Sequence, residues 1–167
     1  MEDSKISLIV AVIALLTSIY TLAIKNKPQI KQTADDNFLT KPLRLQAYER
    51  LVLLCERIAL PNLITRLSQP GLSAKEMQFL LLESIKQEYE YNASQQIYVT
   101  EVAWNAVRSL RDQNLLMINT IAKSLPPDAT APELNKRLME AMMQEETVAV
   151  HSFATGTLNS EAKRLMK

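Results

Sequence analysis

The side chains that most often carry out covalent chemistry are scarce in this sequence. It contains one histidine, His151, and one cysteine, Cys55. A nucleophilic site needs a Ser or Cys, a base, and a third group that orients the base. His151 lies in the apolar stretch VAVHSF, and Cys55 lies on the apolar side of a helical pattern, so we expect both to be structural. The sequence therefore predicts no catalytic residue and no enzyme activity.

Sites for metals and cofactors are not indicated either. A helical di-iron centre needs Glu-x-x-His twice, but the residue three before His151 is Val148. A zinc site needs more Cys and His ligands than the chain supplies. The two glycines, Gly71 and Gly156, form neither a dinucleotide-binding nor a P-loop pattern. We expect no metal and no cofactor.

The distribution of charge argues against nucleic acid as a partner. The formal net charge of the 167 residues is +1, and from residue 33 onward there are 15 basic and 16 acidic residues. No dense basic face is present, as nucleic-acid binding would require. Enough acids are present for a pair that hydrolyses glycosides, but acids that alternate with bases along helices are more often a solvated face.

An aromatic cluster is the best candidate for binding a protein. Four of the nine aromatic residues fall between residues 89 and 104, around the polar segment NASQQ. Tyr and Trp are common anchors of interfaces. The candidate corner consists of Tyr89, Tyr91, Asn92, Gln95, Gln96, Tyr98 and Trp104. The alternative is a helix–helix corner whose aromatics pack inward. We expect Tyr91 to be exposed and Tyr98, in the extended-looking run Ile97-Tyr98-Val99, to be structural.

The elements that position these residues begin with an apolar segment. Residues 6–24 contain no charge, and 19 residues make a helix of roughly 29 Å, close to the thickness of a bilayer core. Glu2 and Asp3 precede Lys5, whereas a cleaved signal peptide begins with a basic region and has a shorter apolar stretch. We predict an uncleaved transmembrane anchor at residues 1–24, with a cleaved signal peptide as the alternative.

The basic residues that flank this segment predict its orientation. Lys25, Lys27 and Lys31 follow it, and only Lys5 precedes it. The positive-inside rule then places the N-terminus outside and the rest of the chain in the cytoplasm of a plasma (inner) membrane. The three lysines are candidate contacts to lipid headgroups. Residues 25–41 are predicted to form a juxtamembrane linker.

Small residues form a stripe along the apolar segment. Ser7, Ala11, Ala14 and Ser18 are spaced by 4, 3 and 4 residues, which places them on one face of a helix. Small residues let two membrane helices approach closely, so this stripe is a candidate pairing face. The alternative is that Ala and Ser are simply common in membrane helices.

The chain after Pro42 has helical periodicity throughout. Ser73-Ala-Lys-Glu76 and Thr130-Ala-Pro-Glu133 are capping boxes, which mark helix starts. The inward faces are predicted from residues at helical spacing: Tyr48, Leu51, Cys55 and Ile58; Met77, Leu80, Leu81 and Ile85, with Phe79 and Leu82 widening this face; Val102, Ala103, Val107 and Leu110; Leu134 and Leu138. We predict an all-α fold, with residues 42–167 forming a cytoplasmic bundle of about four to five helices. Whether residues 147–167 form one helix is left open, because Gly156 weakens it.

Segments of this region resemble a known family. They are QEYEYNASQQIYVTEVAW (87–104), LQAYERLVLLCERIALPNLITRL (45–67), SLRDQN near Ser109, and EAKRLM (161–166). The chain resembles a family of uncharacterised bacterial proteins that have one N-terminal membrane span and an all-helical cytoplasmic part. This resemblance implies an anchor and a helical domain, and it implies no particular activity.

Two classes of function are consistent with these observations. The first is a membrane-anchored interaction or scaffold module, whose partners are the lipid bilayer and a protein that is not identified, with a second copy of the chain among the candidates. A subunit of a larger membrane assembly is a variant of this class, in which the association with the partner is permanent. The second is a small enzyme or sensor with a site of unrecognised type. The scarcity of reactive side chains favours the first.

Overall fold

The computed structural model describes residues 34–143 and 145–167, which form six α-helices. The helices are α1 (Ala34–Ile58), α2 (Leu60–Leu67), α3 (Ala74–Asn92), α4 (Glu101–Ser124), α5 (Ala131–Met142) and α6 (Glu145–Met166), with a 3₁₀ segment at Ala93–Ile97. The all-α prediction is confirmed for this part of the chain. The count exceeds the expected four to five because Pro61 divides the first predicted helix in two. The last helix is continuous through Gly156.

The predicted anchor at residues 1–24 lies outside the described residues. None of the helices within residues 34–143 and 145–167 combines the length and the apolar content that crossing a bilayer requires. Residues 34–41, within the segment 25–41 that we expected to be a linker, are helical and belong to α1. The expectation placed the helix start after Pro42, but Pro42 lies within α1. A proline is tolerated there because it is exposed, so that water can bond the carbonyl that its missing N–H leaves free.

Residues 38–167 form one compact unit around a core to which all six helices contribute. α1 buries Tyr48, Leu51, Leu54, Cys55 and Ile58, which recur at helical spacing. The other buried side chains include Leu63, Met77, Leu81, Ile85, Val107, Leu110, Ile118, Leu134, Leu138 and Leu158. Phe79 and Val102 were expected to point inward, but both are exposed. Phe79 is two residues from both Met77 and Leu81, so it lies on nearly the opposite side of α3 from the buried arc, and Val102 lies about 100° around α4 from the buried Ala103.

The break between α1 and α2 leaves three carbonyls without helical partners, and side chains satisfy them. Pro61 has no N–H, so it cannot continue the hydrogen-bond ladder of α1. Asn114 of α4 donates from Nδ2 to the Ile58 carbonyl at 2.8 Å, and Asn62 donates in the same way to the Glu56 carbonyl at 2.8 Å. Arg66 donates to the Arg57 carbonyl at 3.4 Å. The break is therefore held by specific bonds.

The starts of α3 and α5 lie side by side. The N–H of Ala74 donates to the Ala129 carbonyl at 2.9 Å, and the N–H of Ala131 donates to the Leu72 carbonyl at 3.0 Å. Each helix begins with its predicted capping box. The Ser73 hydroxyl holds the pKa of the Glu76 carboxyl below its ordinary value, and the Thr130 N–H does the same for Glu133. Both helices therefore start from one end of the bundle.

We predict that Asn114→Ala lowers the free energy of unfolding by about 1–3 kcal/mol, because it leaves the buried Ile58 carbonyl without a donor. Asn62→Ala is the matched control, since Asn62 makes a bond of the same type and length at an exposed position. Water replaces that bond, so its loss should cost less than about 1 kcal/mol. Urea denaturation followed by circular dichroism measures both. Equal losses would contradict this account of the break.

Candidate functional site

The residues of the predicted aromatic corner do not form one surface. Tyr89 and Trp104 pack together between α3 and α4, with ring centroids 5.2 Å apart. The Arg111 guanidinium lies 4.0 Å from the centroid of the Tyr89 ring, and Arg111 also pairs with Asp112. Both aromatic side chains are half-buried against the core. This half of the corner is a packed helix–helix contact, the alternative considered for it above.

The polar residues of the corner are mostly internal. Asn92 is buried and donates from Nδ2 to the Glu88 carbonyl at 2.9 Å. Gln95 is buried too, whereas Gln96 is exposed. The segment from Ala93 to Ile97 is a 3₁₀ helix and not the extended run that we expected for Ile97. This segment connects α3 to α4, and after it the Tyr98 N–H donates to the Gln95 carbonyl at 3.0 Å.

Tyr98 lies where this turn meets α1. Its side chain is half-buried, and its carbonyl accepts a hydrogen bond from Nε of Arg44 at 3.3 Å. Ile97, beside it, is 72% exposed. Tyr98 therefore joins the corner to the N-terminal half of α1 through its backbone.

A buried hydroxyl links three helices next to this turn. The Tyr48 hydroxyl donates to Oε2 of Glu161 at 2.6 Å and accepts from the Thr100 N–H at 3.4 Å. The Thr100 hydroxyl donates to the same carboxylate at 2.7 Å and caps α4 by accepting from the Ala103 N–H. Burial raises the pKa of Tyr48 above its ordinary value, and the bond to Glu161 raises it further. The group positions α1, α4 and α6, and sequence reasoning missed it because its members are far apart in the chain.

Tyr91 lies on the opposite side of α3 from Tyr89. It is 73% exposed, as expected, and the Arg50 guanidinium lies 5.3 Å from its ring centroid. Two residues along a helix are about 200° apart, so the sequence already held the signal that these two tyrosines face apart. Of the aromatic side chains of the corner, Tyr91 is the one left free for a partner.

Tyr91 borders the outer face of α1. This face centres on Leu53, which is 55% exposed. Two arginines of α1 lie toward α3: Arg50 contacts Tyr91, and Arg57 pairs with Glu88 at 2.6 Å. A depression of about 150 Å³ lies between these groups, lined by Arg50, Leu53, Leu54, Arg57, Glu88, Tyr91 and Asn92. We call the surface formed by Gln46, Glu49, Arg50, Leu53, Glu56, Arg57 and Tyr91 the α1 face.

An apolar groove continues the α1 face on the side of α6. Its volume is about 360 Å³, and it is lined by Leu45, Tyr48, Glu49, Val52, Leu53, Asn159, Ala162 and Met166. Leu53 belongs to both depressions, so the two form one continuous surface across α1. No pattern in the sequence predicted this surface. A sign of it in the sequence is Leu53, an apolar residue on the otherwise polar side of the helical pattern.

A second candidate site lies at the helix break. A pocket of about 250 Å³ is lined by Glu56, Ala59, Leu60, Pro61, Asn62, Leu110, Asn114, Met142 and His151. Nε2 of His151 lies 3.4 Å from Oε1 of Glu56. A carboxyl and an imidazole at this distance can both form hydrogen bonds to a polar ligand. The other polar lining groups are the side-chain amides of Asn62 and Asn114.

Cys55 lies in the core, fully buried. Burial raises the pKa of its thiol to about 12, so the reactive thiolate is absent near neutral pH. Within residues 34–143 and 145–167, no three of the His, Cys, Asp and Glu side chains lie close enough together to hold a metal ion. The candidate pairing face (Ser7, Ala11, Ala14, Ser18) and the candidate headgroup contacts (Lys25, Lys27, Lys31) lie outside the described residues.

We predict opposite outcomes for truncating the two tyrosines of α3. Tyr89→Ala removes a packed ring and should lower the free energy of unfolding by roughly 2–4 kcal/mol. Tyr91→Ala removes an exposed ring and one cation–π contact, so its cost should stay near about 0.5–1 kcal/mol. Thermal unfolding measures both. A large loss for Tyr91→Ala would show that this ring is structural.

The Tyr48 hydroxyl makes stability depend on pH in the alkaline range. Since the folded-state pKa is raised, the stability that the protonated hydroxyl supplies is complete below pH 10.0 and is lost as the pH rises through the folded-state value. We predict that Tyr48→Phe costs about 1–2 kcal/mol at pH 7, because Glu161 and Thr100 lose a partner. The deficit should shrink above pH 10 in urea titrations. A deficit that is constant with pH would refute this.

One family model matches almost the whole length of the chain. It describes a family of unknown function, DUF7935, and it matches residues 4–165. No curated protein and no solved structure matches the chain.

Proposed function

The chain belongs to this DUF7935 family of unknown function, and we propose that it is a membrane-anchored interaction module that holds a protein partner on the α1 face. The proposal rests on the exposure of two side chains, Tyr91 and Leu53. They lie beside Arg50 and Arg57, which contact Tyr91 and Glu88 of α3. Tyr and Arg are enriched among the residues that contribute most to protein interfaces.

The prior ordering of these side chains supports binding. Arg57 is fixed by Glu88 at 2.6 Å, and Arg50 lies over the ring of Tyr91. Ordering a long side chain on association costs about 0.5–1.5 kcal/mol, and groups that are already ordered avoid much of it. The adjoining groove offers apolar area, including Val52, Ala162 and Met166, while Glu49 and Asn159 form a polar margin. An apolar centre with a polar rim is the usual anatomy of a protein interface.

The sequence before α1 supports the anchoring half of the proposal. Residues 6–24 are uncharged and long enough to cross a bilayer, and Lys25, Lys27 and Lys31 favour a cytoplasmic position for the rest of the chain. A tether of this kind raises the local concentration of a partner in the same membrane. Modest contacts on the α1 face are then sufficient for association.

The alternative, a small sensor or enzyme, has its best location in the pocket between Glu56 and His151. That pocket offers a carboxyl and an imidazole 3.4 Å apart and an amide, Asn114, whose Nδ2 already donates to the Ile58 carbonyl. Most of its lining is apolar, and its polar groups are one carboxyl, one imidazole and two amides, which suits the binding of a small polar ligand. The α1 face is the better-supported site because its exposed aromatic and apolar groups have no role in the core.

We predict that a photoreactive amino acid at position 91 or 53 of the full-length protein, irradiated in its native membrane, gives a crosslinked adduct. The same residue at Leu116 is the control, since Leu116 is 68% exposed on α4 and does not lie on the α1 face. Gel mobility and mass spectrometry identify the products. Adducts that form equally at all three positions, or at none, would refute the α1 face as the interaction surface.

A further inference from the structure

The α1 face carries a seven-residue repeat. Gln46 and Leu53 are seven residues apart and form its exposed centre. Glu49 and Glu56, also seven apart, form one edge, and Arg50 and Arg57 form the other. Since seven residues make nearly two turns of an α-helix, each pair lies in line along the helix. One edge of the face is therefore acidic and the other is basic.

Contacts with the neighbouring helices show that the acidic edge faces α6 and the basic edge faces α3. On the acidic edge, Glu49 lines the groove toward α6, and Glu56 lies 3.4 Å from His151 of that helix. On the basic edge, Arg50 and Arg57 contact Tyr91 and Glu88 of α3. The opposite charges thus lie on opposite sides of Leu53 across the helix.

We propose that the partner of the α1 face is a second copy of this chain, with the two α1 helices packed in parallel about a two-fold axis along their length. The proposal rests on the proposed function and names its partner. A two-fold axis parallel to the helices places the acidic edge of each copy against the basic edge of the other. An antiparallel two-fold would bring acidic edge to acidic edge and basic to basic. Charges that flank a helical seam set its orientation in this way.

The centre of the face fits the same arrangement. In a parallel pair each residue of the seam meets its own counterpart, so Leu53 packs on Leu53 and the amide of Gln46 meets that of Gln46. A polar amide at one seam position fixes register, at some cost in stability. Tyr91 and Met166, both exposed, flank the seam and extend the area that a second copy covers.

A parallel arrangement of the two α1 helices is consistent with the membrane anchor predicted before α1. Parallel α1 helices leave both N-terminal ends on the same side, as two copies inserted in one membrane require. The spacing of Ser7, Ala11, Ala14 and Ser18 predicts a pairing face in the preceding segment, and pairing there would favour the same parallel sense. Two weak contacts in one pair of chains reinforce each other, because the second forms at high effective concentration.

Cysteine crosslinking of the full-length protein in membranes tests the proposal. Gln46→Cys and Leu53→Cys are each treated with a thiol oxidant, and Leu116→Cys serves as the exposed control. The native Cys55 stays silent because it is buried. We expect a product of twice the monomer mass from both α1 variants and none from the control. A product from Leu53→Cys without one from Gln46→Cys indicates an antiparallel pair and overturns the proposal, as does the absence of both.

Charge reversal supplies the second arm. Glu49→Lys with Glu56→Lys makes both edges basic, and Arg50→Glu with Arg57→Glu makes both acidic, so each double variant should lose Gln46→Cys crosslinking by about tenfold or more. Mixing the two double variants should restore it as a heterodimer. Circular dichroism of each variant shows whether it folds. Loss without rescue between folded variants overturns the proposal.

The two proposals fail in different ways. Photocrosslinks at position 91 to a protein of another mass, with no product from Gln46→Cys, reject the second copy and keep the interaction surface. The absence of any adduct at positions 53 and 91 rejects the surface itself.

Discussion

The buried hydroxyl of Tyr48 fixes the rotation of α1, and this rotation determines the outer surface of the molecule. This hydroxyl bonds a carboxylate of α6 and the first turn of α4. It can reach both only when Tyr48 points inward, together with Leu51, Cys55 and Ile58. Leu53 lies on the other side of the helix and is left exposed. One set of contacts thus determines both the core and the α1 face.

The polar contacts within the bundle serve mainly to position helices. Asn114 closes the break between α1 and α2, and Glu161 links Tyr48 to Thr100. Arg111 stacks on the ring of Tyr89, which packs on Trp104. Each of these groups is satisfied by another part of the same chain. The residues of the α1 face differ, because Leu53 and Tyr91 present apolar surface that the core does not use.

Local sequence patterns predicted the helices well and their contacts poorly. The capping boxes at Ser73 and Thr130 marked two helix starts, because the bonds that define them are made within four residues. The bond between Asn114 and Ile58 joins positions 56 residues apart, and no local pattern encodes it. Pro42 was taken as a boundary although α1 continues through it. For the candidate site, the exposure of Tyr91 could be predicted from its polar neighbours. The sequence could not predict that Leu53 and α6 complete this surface, because their proximity depends on how two helices that are far apart in the chain pack together.

In the membrane-anchored state that we propose, the α1 face is covered by a partner. Hydroxyl-radical footprinting of the full-length protein in membranes, compared with residues 34–167 in dilute solution, tests it most directly. The account predicts slower oxidation of Leu53 and Tyr91 in the membrane sample, and equal oxidation of Leu116 and Phe79 in the two samples. Equal rates at Leu53 and Tyr91 would contradict it, because the face would then be as open to solvent in the membrane as it is in the isolated domain.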